Sequence, residues 1–370
     1  MDRDPIRYTA ELIKKSKRPI LIVGNGARGS SFLDLHLPII TTRLGIDLVE
    51  TGNPLFIGRP GLVSDRTSHF AIQKADLIIA VGARLDTGII GYTLSDWGKN
   101  AIKVVVDIDK EELNKPGIKI DLKINKEASE FINELKKYKN SSTYDKWLAI
   151  IADWKKKFPL PRTGSYGYIK KLSNLSNIDD VIVVDTSSSF HIVAQVWEIK
   201  KKQTYITTGG ISTMGYWPAS IGAALASGRR VLCITGDGCL QMNIQELATV
   251  VKNKLNIKIF LLNNNGYLLI RNTQKTHCNT RLIGEGEKSG LGFPNFKKIA
   301  SAYGITYFTN IEKTLKTKGP VLCELKTPYW EELAPRIASE KIADGSFINR
   351  PYEDLAPYLD ENELKRTMSM

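Results

Sequence analysis

No apolar run in this 370-residue chain approaches the ~20 residues that a membrane-spanning helix needs. The start, MDRDPIRYTAELIKKSKRP, has no apolar stretch of the kind a secretory signal carries. Cysteine is scarce. Cys233, Cys239, Cys278 and Cys323 show no zinc or redox spacing, and buried reduced thiols in a cytosolic protein are expected. There is no fixed-period repeat and no low-complexity segment. The net charge of +13 permits anionic partners, but Lys155–Lys157 and Lys200–Lys202 carry no interleaved aromatics. They read as solvated helix ends and loops, so neither nucleic acid nor a membrane is expected as a partner.

What the chain does contain is strand and helix in alternation. In the first half, strands are expected at Ile20–Val23, Pro38–Thr42, Leu77–Val81 and Lys103–Ile108, with helices at Ser68–Lys74 and Ala128–Tyr138. In the second half, strands are expected at Val181–Val184, Val231–Ile234, Ile257–Leu262 and Val321–Leu325. Helices fall at Trp217–Ser227, Ile244–Asn253 and Phe296–Tyr303. Such alternation predicts α/β architecture: two doubly wound parallel-sheet domains with right-handed crossovers. The expected division is a first, Rossmann-like α/β domain over 1–138, a linker over 139–160 and a second α/β domain over 161–330. An irregular C-terminal arm over 331–370 completes it.

Two glycine clusters stand at strand tips. Gly24-Asn25-Gly26-Ala27-Arg28-Gly29 spells the dinucleotide fingerprint, but only Ser30–Leu37 separates it from the next strand. That strand ends on Thr41-Thr42, where a ribose-binding acid belongs. A tight structural turn explains this cluster better than a nicotinamide-dependent oxidoreductase does; a flavin or nucleotide contact is the alternative.

The second cluster is more informative. Gly236-Asp237-Gly238 closes one apolar strand, and Asn263-Asn264-Asn265 closes the next, with one helix between them. A right-handed crossover brings both tips to the same edge of a sheet, where α/β proteins bind ligands. A carboxylate, an amide oxygen and a turn carbonyl make a hard oxygen site of the kind magnesium prefers with diphosphate. A D-G turn followed by a capping asparagine is the plainer reading of each piece alone.

Residues 236–264 resemble the thiamine diphosphate motif, and GDGCLQMNIQELATVV is similar to the acetolactate synthase branch of that family. TGGISTMGYWPA at 208–219 resembles the loop ahead of that motif. RPILIVGNGARG, NPLFIGRPG, ADLIIAVGARLD and VVVDIDKEEL resemble, in order, the family's middle domain. The resemblance implies thiamine diphosphate and Mg2+ as cofactors, with Asp237, Asn264 and the Gly266 carbonyl as metal ligands. It places Gly238 and Cys239 against the diphosphate, and Met214 under the bent cofactor. Gly210, Thr213, Ser187, Ser188, Ser189 and Tyr267 complete the implied cofactor-binding set. In the Asp185–Ser189 loop the family often has glycine, glutamine and histidine; His191 nearby reads as structural. Flavin is permitted by Gly82–Asp86 but is not expected, since Thr87–Gly91 lacks an arginine often found there.

The implied activity is decarboxylation of a 2-keto acid such as pyruvate, with transfer of the aldehyde unit to an acceptor. A simple decarboxylase and a non-catalytic cofactor-binding subunit are the alternatives. In the resembled family a glutamate from an N-terminal pyrimidine-binding domain activates the cofactor, and no glutamate here matches it. The catalytic acid is therefore expected from a separate pyrimidine-binding chain, in a homo- or hetero-oligomer. An incomplete gene product would explain the same gap.

Overall fold

The computed structural model describes residues 4–209, 213–342, 344 and 346–369. The chain divides into two compact units, Met1–Leu160 with Ala334–Met370, and Pro161–Leu333.

The first unit is built on a six-stranded parallel sheet: β1 (Pro19–Val23), β2 (Ile39–Thr41), β3 (Phe56–Gly58), β4 (Leu77–Val81), β5 (Ile102–Asp107) and β6 (Leu122–Asn125). Their spatial order is β3-β2-β1-β4-β5-β6, so the winding reverses between β1 and β4. β1 and β4 are buried along their whole length, which is why both are continuous apolar runs. At the reversal, the backbone of the first glycine cluster packs on Gly82. A Cβ on Gly24 would lie 2.1 Å from the Gly82 carbonyl oxygen. The Gly26 N–H donates to that same oxygen at 3.0 Å. After β1 comes a short 3-10 turn, Asn25–Ala27, not a full helix.

The stretch expected as a linker holds a helix, Asp145–Lys157, whose Trp147, Ile151 and Trp154 are buried in the core of this unit. The C-terminal residues also belong here. They include a two-stranded antiparallel ribbon, β13 (Ser339–Lys341) with β14 (Phe347–Asn349), where no sheet element was expected. Tyr352 is buried, stacks on His69 with ring centroids 4.1 Å apart, and donates its hydroxyl to the Ile89 carbonyl at 2.7 Å.

The second unit carries another parallel six-stranded sheet: β7 (Val181–Val184), β8 (Thr204–Thr207), β9 (Val231–Gly236), β10 (Ile257–Asn263), β11 (Thr306–Phe308) and β12 (Val321–Lys326). Its order is β11-β12-β10-β9-β7-β8. The central strands β7, β9 and β10 are buried throughout apart from Gly236 at the tip of β9. Cys233, Cys239 and Cys323 are buried and free, whereas Cys278 is exposed. Among the described residues, no helix is long and apolar enough to cross a membrane.

Candidate cofactor and metal site

The site lies at the carboxyl ends of β7, β9 and β10. β9 and β10 are parallel neighbours with Gly236 opposite Leu262, so the GDG and NNN segments emerge side by side. The GDG segment is more than a turn. Gly236 is the N-cap of a short helix, Asp237–Gln241, and Asp237 is its first residue.

Asp237 is 2% exposed. One carboxylate oxygen accepts the Gly238 N–H at 2.8 Å. The other accepts the N–H groups of Asn264 at 3.2 Å and Gly266 at 3.1 Å. Burial pushes its pKa up to about 6, against the pull of these N–H donors. Among the described residues, no lysine or arginine pairs with it. Its described partners are backbone N–H dipoles.

The three asparagines do three different jobs. Asn263 is tied down: its amide donates to Glu324 at 2.6 Å, and its side-chain oxygen accepts the Asn265 N–H at 2.9 Å. Asn265 takes the left-handed conformation, with φ of 54°, which asparagine tolerates better than most residues. Asn264 is 6% exposed, and its side-chain oxygen is buried with no hydrogen-bond partner among the described residues. Leaving such an acceptor unpaired costs about 1–3 kcal/mol. A metal ion beside Asp237 would satisfy it. The donor set at this strand edge therefore fits a hard divalent cation.

At the tip of β7, Asp185 is fully buried and joins three parts of the site. It accepts the Trp217 N–H at 3.0 Å, the Thr235 hydroxyl at 3.1 Å and the Thr186 N–H at 2.8 Å. Ser187 follows with φ of 68° and ψ of −143°, a conformation that L side chains rarely adopt. It caps the helix Ser188–Val196, and the Ser189 hydroxyl donates to the Thr186 carbonyl at 2.7 Å.

A cleft of about 150 Å³ gathers most of the residues expected from sequence: Ser187, Ser188, Ser189, Met214, Asp237, Gly238, Cys239, Asn264, Gly266 and Tyr267. Thr186 and Leu268–Ile270 line it as well. The Tyr267 ring lies over Gly238, where a Cβ would meet it at 2.1 Å; the Met214 methyl would be 3.3 Å away. Any side chain at 238 would have to displace the Tyr267 ring. Burial pushes the Cys239 thiol up to about 12, so it is an inert wall, not a nucleophile. Thr213 is exposed and does not line the cleft, and His191 is buried in the helix after Ser187. Gly210 lies outside the described residues.

Residues 185–325 match the model of the C-terminal TPP-binding domain of thiamine pyrophosphate enzymes, and residues 6–135 match that family's central domain. The chain belongs to the thiamine pyrophosphate enzymes. It is homologous to acetolactate synthase large subunits. It is 30% identical over 360 residues to the acetolactate synthase isozyme 1 large subunit of Escherichia coli (strain K12), covering 90% of this chain and 63% of that one. To the acetolactate synthase large subunit of Porphyra purpurea it is 32% identical over 367 residues, covering 91% and 61%. To acetolactate synthase 1, chloroplastic, of Nicotiana tabacum it is 30% identical, covering 90% and 55%. The chain thus spans less than two thirds of the length of these curated relatives.

Sequence reasoning missed a cluster next to the cleft. Arg271, Glu285 and Tyr329 meet beside the Asn265–Gly266 turn, yet no local pattern links positions so far apart.

Proposed function

We propose that this chain is the thiamine diphosphate- and Mg2+-binding part of an acetolactate synthase-like carboligase. Its donor substrate is a 2-keto acid, with pyruvate the first candidate. The observation that carries the reading is the unpartnered Asn264 oxygen beside the buried Asp237 carboxylate, within a domain of this family. Asp237, Asn264 and the Gly266 carbonyl hold the metal. One carboxylate, one amide oxygen and one backbone carbonyl favour magnesium over softer ions, which prefer thiolate and imidazole. Gly238 and Cys239 would lie against the diphosphate, and the hydroxyls of Ser187 and Ser188 would offer it donors, while the Ser189 hydroxyl is held by the Thr186 carbonyl. Met214 supplies the apolar support for the rings. When bound, thiamine diphosphate supplies the carbanion-stabilising chemistry that decarboxylation of a 2-keto acid needs.

The chain's own groups bind and orient; the described residues lining the cleft do not include an evident proton-transfer partner for the pyrimidine ring. Asp237 is the one acidic residue lining the described cleft, and it faces backbone donors. We infer that a separate pyrimidine-binding chain brings the activating carboxylate, in a cytoplasmic oligomer. Relatives are named as large subunits, which suits a chain that works in an assembly.

The test is acetolactate formation from pyruvate by the purified chain with thiamine diphosphate and Mg2+, with and without a pyrimidine-binding chain from the same genome. Turnover is expected only with the second chain. Carbon dioxide release with free aldehyde and no acetolactate would mark a simple decarboxylase instead. Full turnover by this chain alone would contradict the need for a partner.

A further inference from the structure

Beneath the metal loop, Arg271 on the helix Leu268–His277 forms an ion pair with Glu285, and both side chains are essentially fully buried. The Arg271 Nε donates to Glu285 at 2.5 Å. The Tyr329 hydroxyl donates to the same carboxylate at 2.9 Å, and the Ser289 hydroxyl does so at 3.2 Å. The guanidinium also donates to the Tyr329 carbonyl and lies 3.4 Å from the centroid of that ring.

This network adjoins the loop on both sides of Gly266. Arg271 Nη2 reaches the Asn265 carbonyl at 3.4 Å, and the Glu285 carbonyl accepts the Tyr267 N–H at 2.8 Å. A Cβ on Gly266 would lie 2.1 Å from Arg271 Nη2 and 2.2 Å from the Glu285 carbonyl oxygen, so the contact is close enough to require glycine.

Peptide planarity turns these contacts into a direction. In a trans peptide, the N–H and the C=O of one plane point opposite ways. The plane between Asn265 and Gly266 gives its N–H to Asp237 and its carbonyl to Arg271. The plane between Gly266 and Tyr267 gives its N–H to Glu285. The Gly266 carbonyl therefore points away from Glu285. A buried ion pair is rarely the most stable way to fill such a space; apolar residues of similar volume often do as well or better. What an apolar pair lacks is a donor aimed at the Asn265 carbonyl.

We propose that Arg271 and Glu285, held by Tyr329, are positioning residues that aim the Gly266 carbonyl at the metal. The inference rests on the metal reading above. Neither residue touches the metal; they set the geometry of one ligand, and metal affinity follows.

The experiment measures the Mg2+ concentration needed for half-maximal thiamine diphosphate binding by the full chain, using tryptophan fluorescence, with thermal unfolding in parallel. The variants are Arg271→Met with Glu285→Leu in one chain, Arg271→Lys alone, and Asp237→Ala. The double variant is expected to unfold at a temperature no lower than the parent, yet to need at least tenfold more Mg2+. Arg271→Lys keeps the charge but not the forked geometry, and should fall between. A parental Mg2+ requirement in the folded double variant, with loss in Asp237→Ala, overturns this inference alone. If the double variant does not fold, a parental requirement in Arg271→Lys overturns it. A parental requirement in Asp237→Ala overturns the metal reading and this inference together.

Discussion

The Asp237 carboxylate accepts the backbone N–H of Asn264 at 3.2 Å, while the side-chain oxygen of Asn264 accepts nothing among the described residues. One residue is thus satisfied by the fold, and the other is left with an open acceptor at the same strand edge. Such an unpaired acceptor costs stability, and under the proposed function a bound cation would offset that cost.

Asn264→Leu tests that trade. The substitution removes the unpaired oxygen at similar volume, so the ligand-free protein should gain about 1 kcal/mol. Mg2+-dependent cofactor affinity should fall at least tenfold. Urea unfolding and a cofactor titration on the same sample check both. A variant unchanged in both measurements would remove Asn264 from the metal's ligands.

Ser187 sits where glycine belongs. With φ of 68° and ψ of −143°, its side chain costs on the order of 1 kcal/mol. Ser187→Gly should raise the urea midpoint by a corresponding amount. If the hydroxyl contacts the diphosphate, the same variant should bind thiamine diphosphate more weakly. Gained stability with unchanged affinity would leave the serine without a role in binding.

His69 makes the first unit sensitive to acid. Burial lowers its pKa to about 4, although the hydrogen bonds to the Tyr352 and Gly61 carbonyls oppose this. The unfolded chain takes up this proton near pH 6.5, well before the folded chain does. Stability from this group is therefore complete above about pH 6.5 and is lost as the pH falls toward 4, by up to about 3 kcal/mol. His69→Gln keeps a donor and an acceptor without the titration. Amide exchange in β1 and β4 between pH 7 and 5 should show the parent loosening and the variant changing less.

The parts of the fold that sequence made visible are those that burial writes plainly. β1, β4 and β7 are apolar along their whole buried length, β9 and β10 are so apart from the buried Thr235, Lys258 and Asn263, and each was readable as a strand. β6, β8 and β11 were not, because edge strands of three or four residues with partly exposed side chains leave no apolar run, and β3 was not because its buried Phe56–Gly58 is only three residues long. The helix Asp145–Lys157 follows a polar stretch that looks like a linker. The spacing of Trp147, Ile151 and Trp154 was the available signal, since those positions share one helical face. At the site, Asp237 and Asn264 were legible because a motif carries them. The Arg271–Glu285 pair was not, because its partners come together only through the tertiary fold.

The most direct measurement is calorimetric titration of thiamine diphosphate into this chain and into Asp237→Ala, each with Mg2+ and with a chelator. For the parent, binding should depend on the metal. Removing a charged ligand to the metal is worth about 1.5–3 kcal/mol, so the variant should bind at least tenfold more weakly with Mg2+ present. Circular dichroism confirms that its fold is intact. Equal affinity in the folded variant, or parental binding that ignores the chelator, would contradict the assignment of Asp237 and Asn264 as the metal-diphosphate clamp.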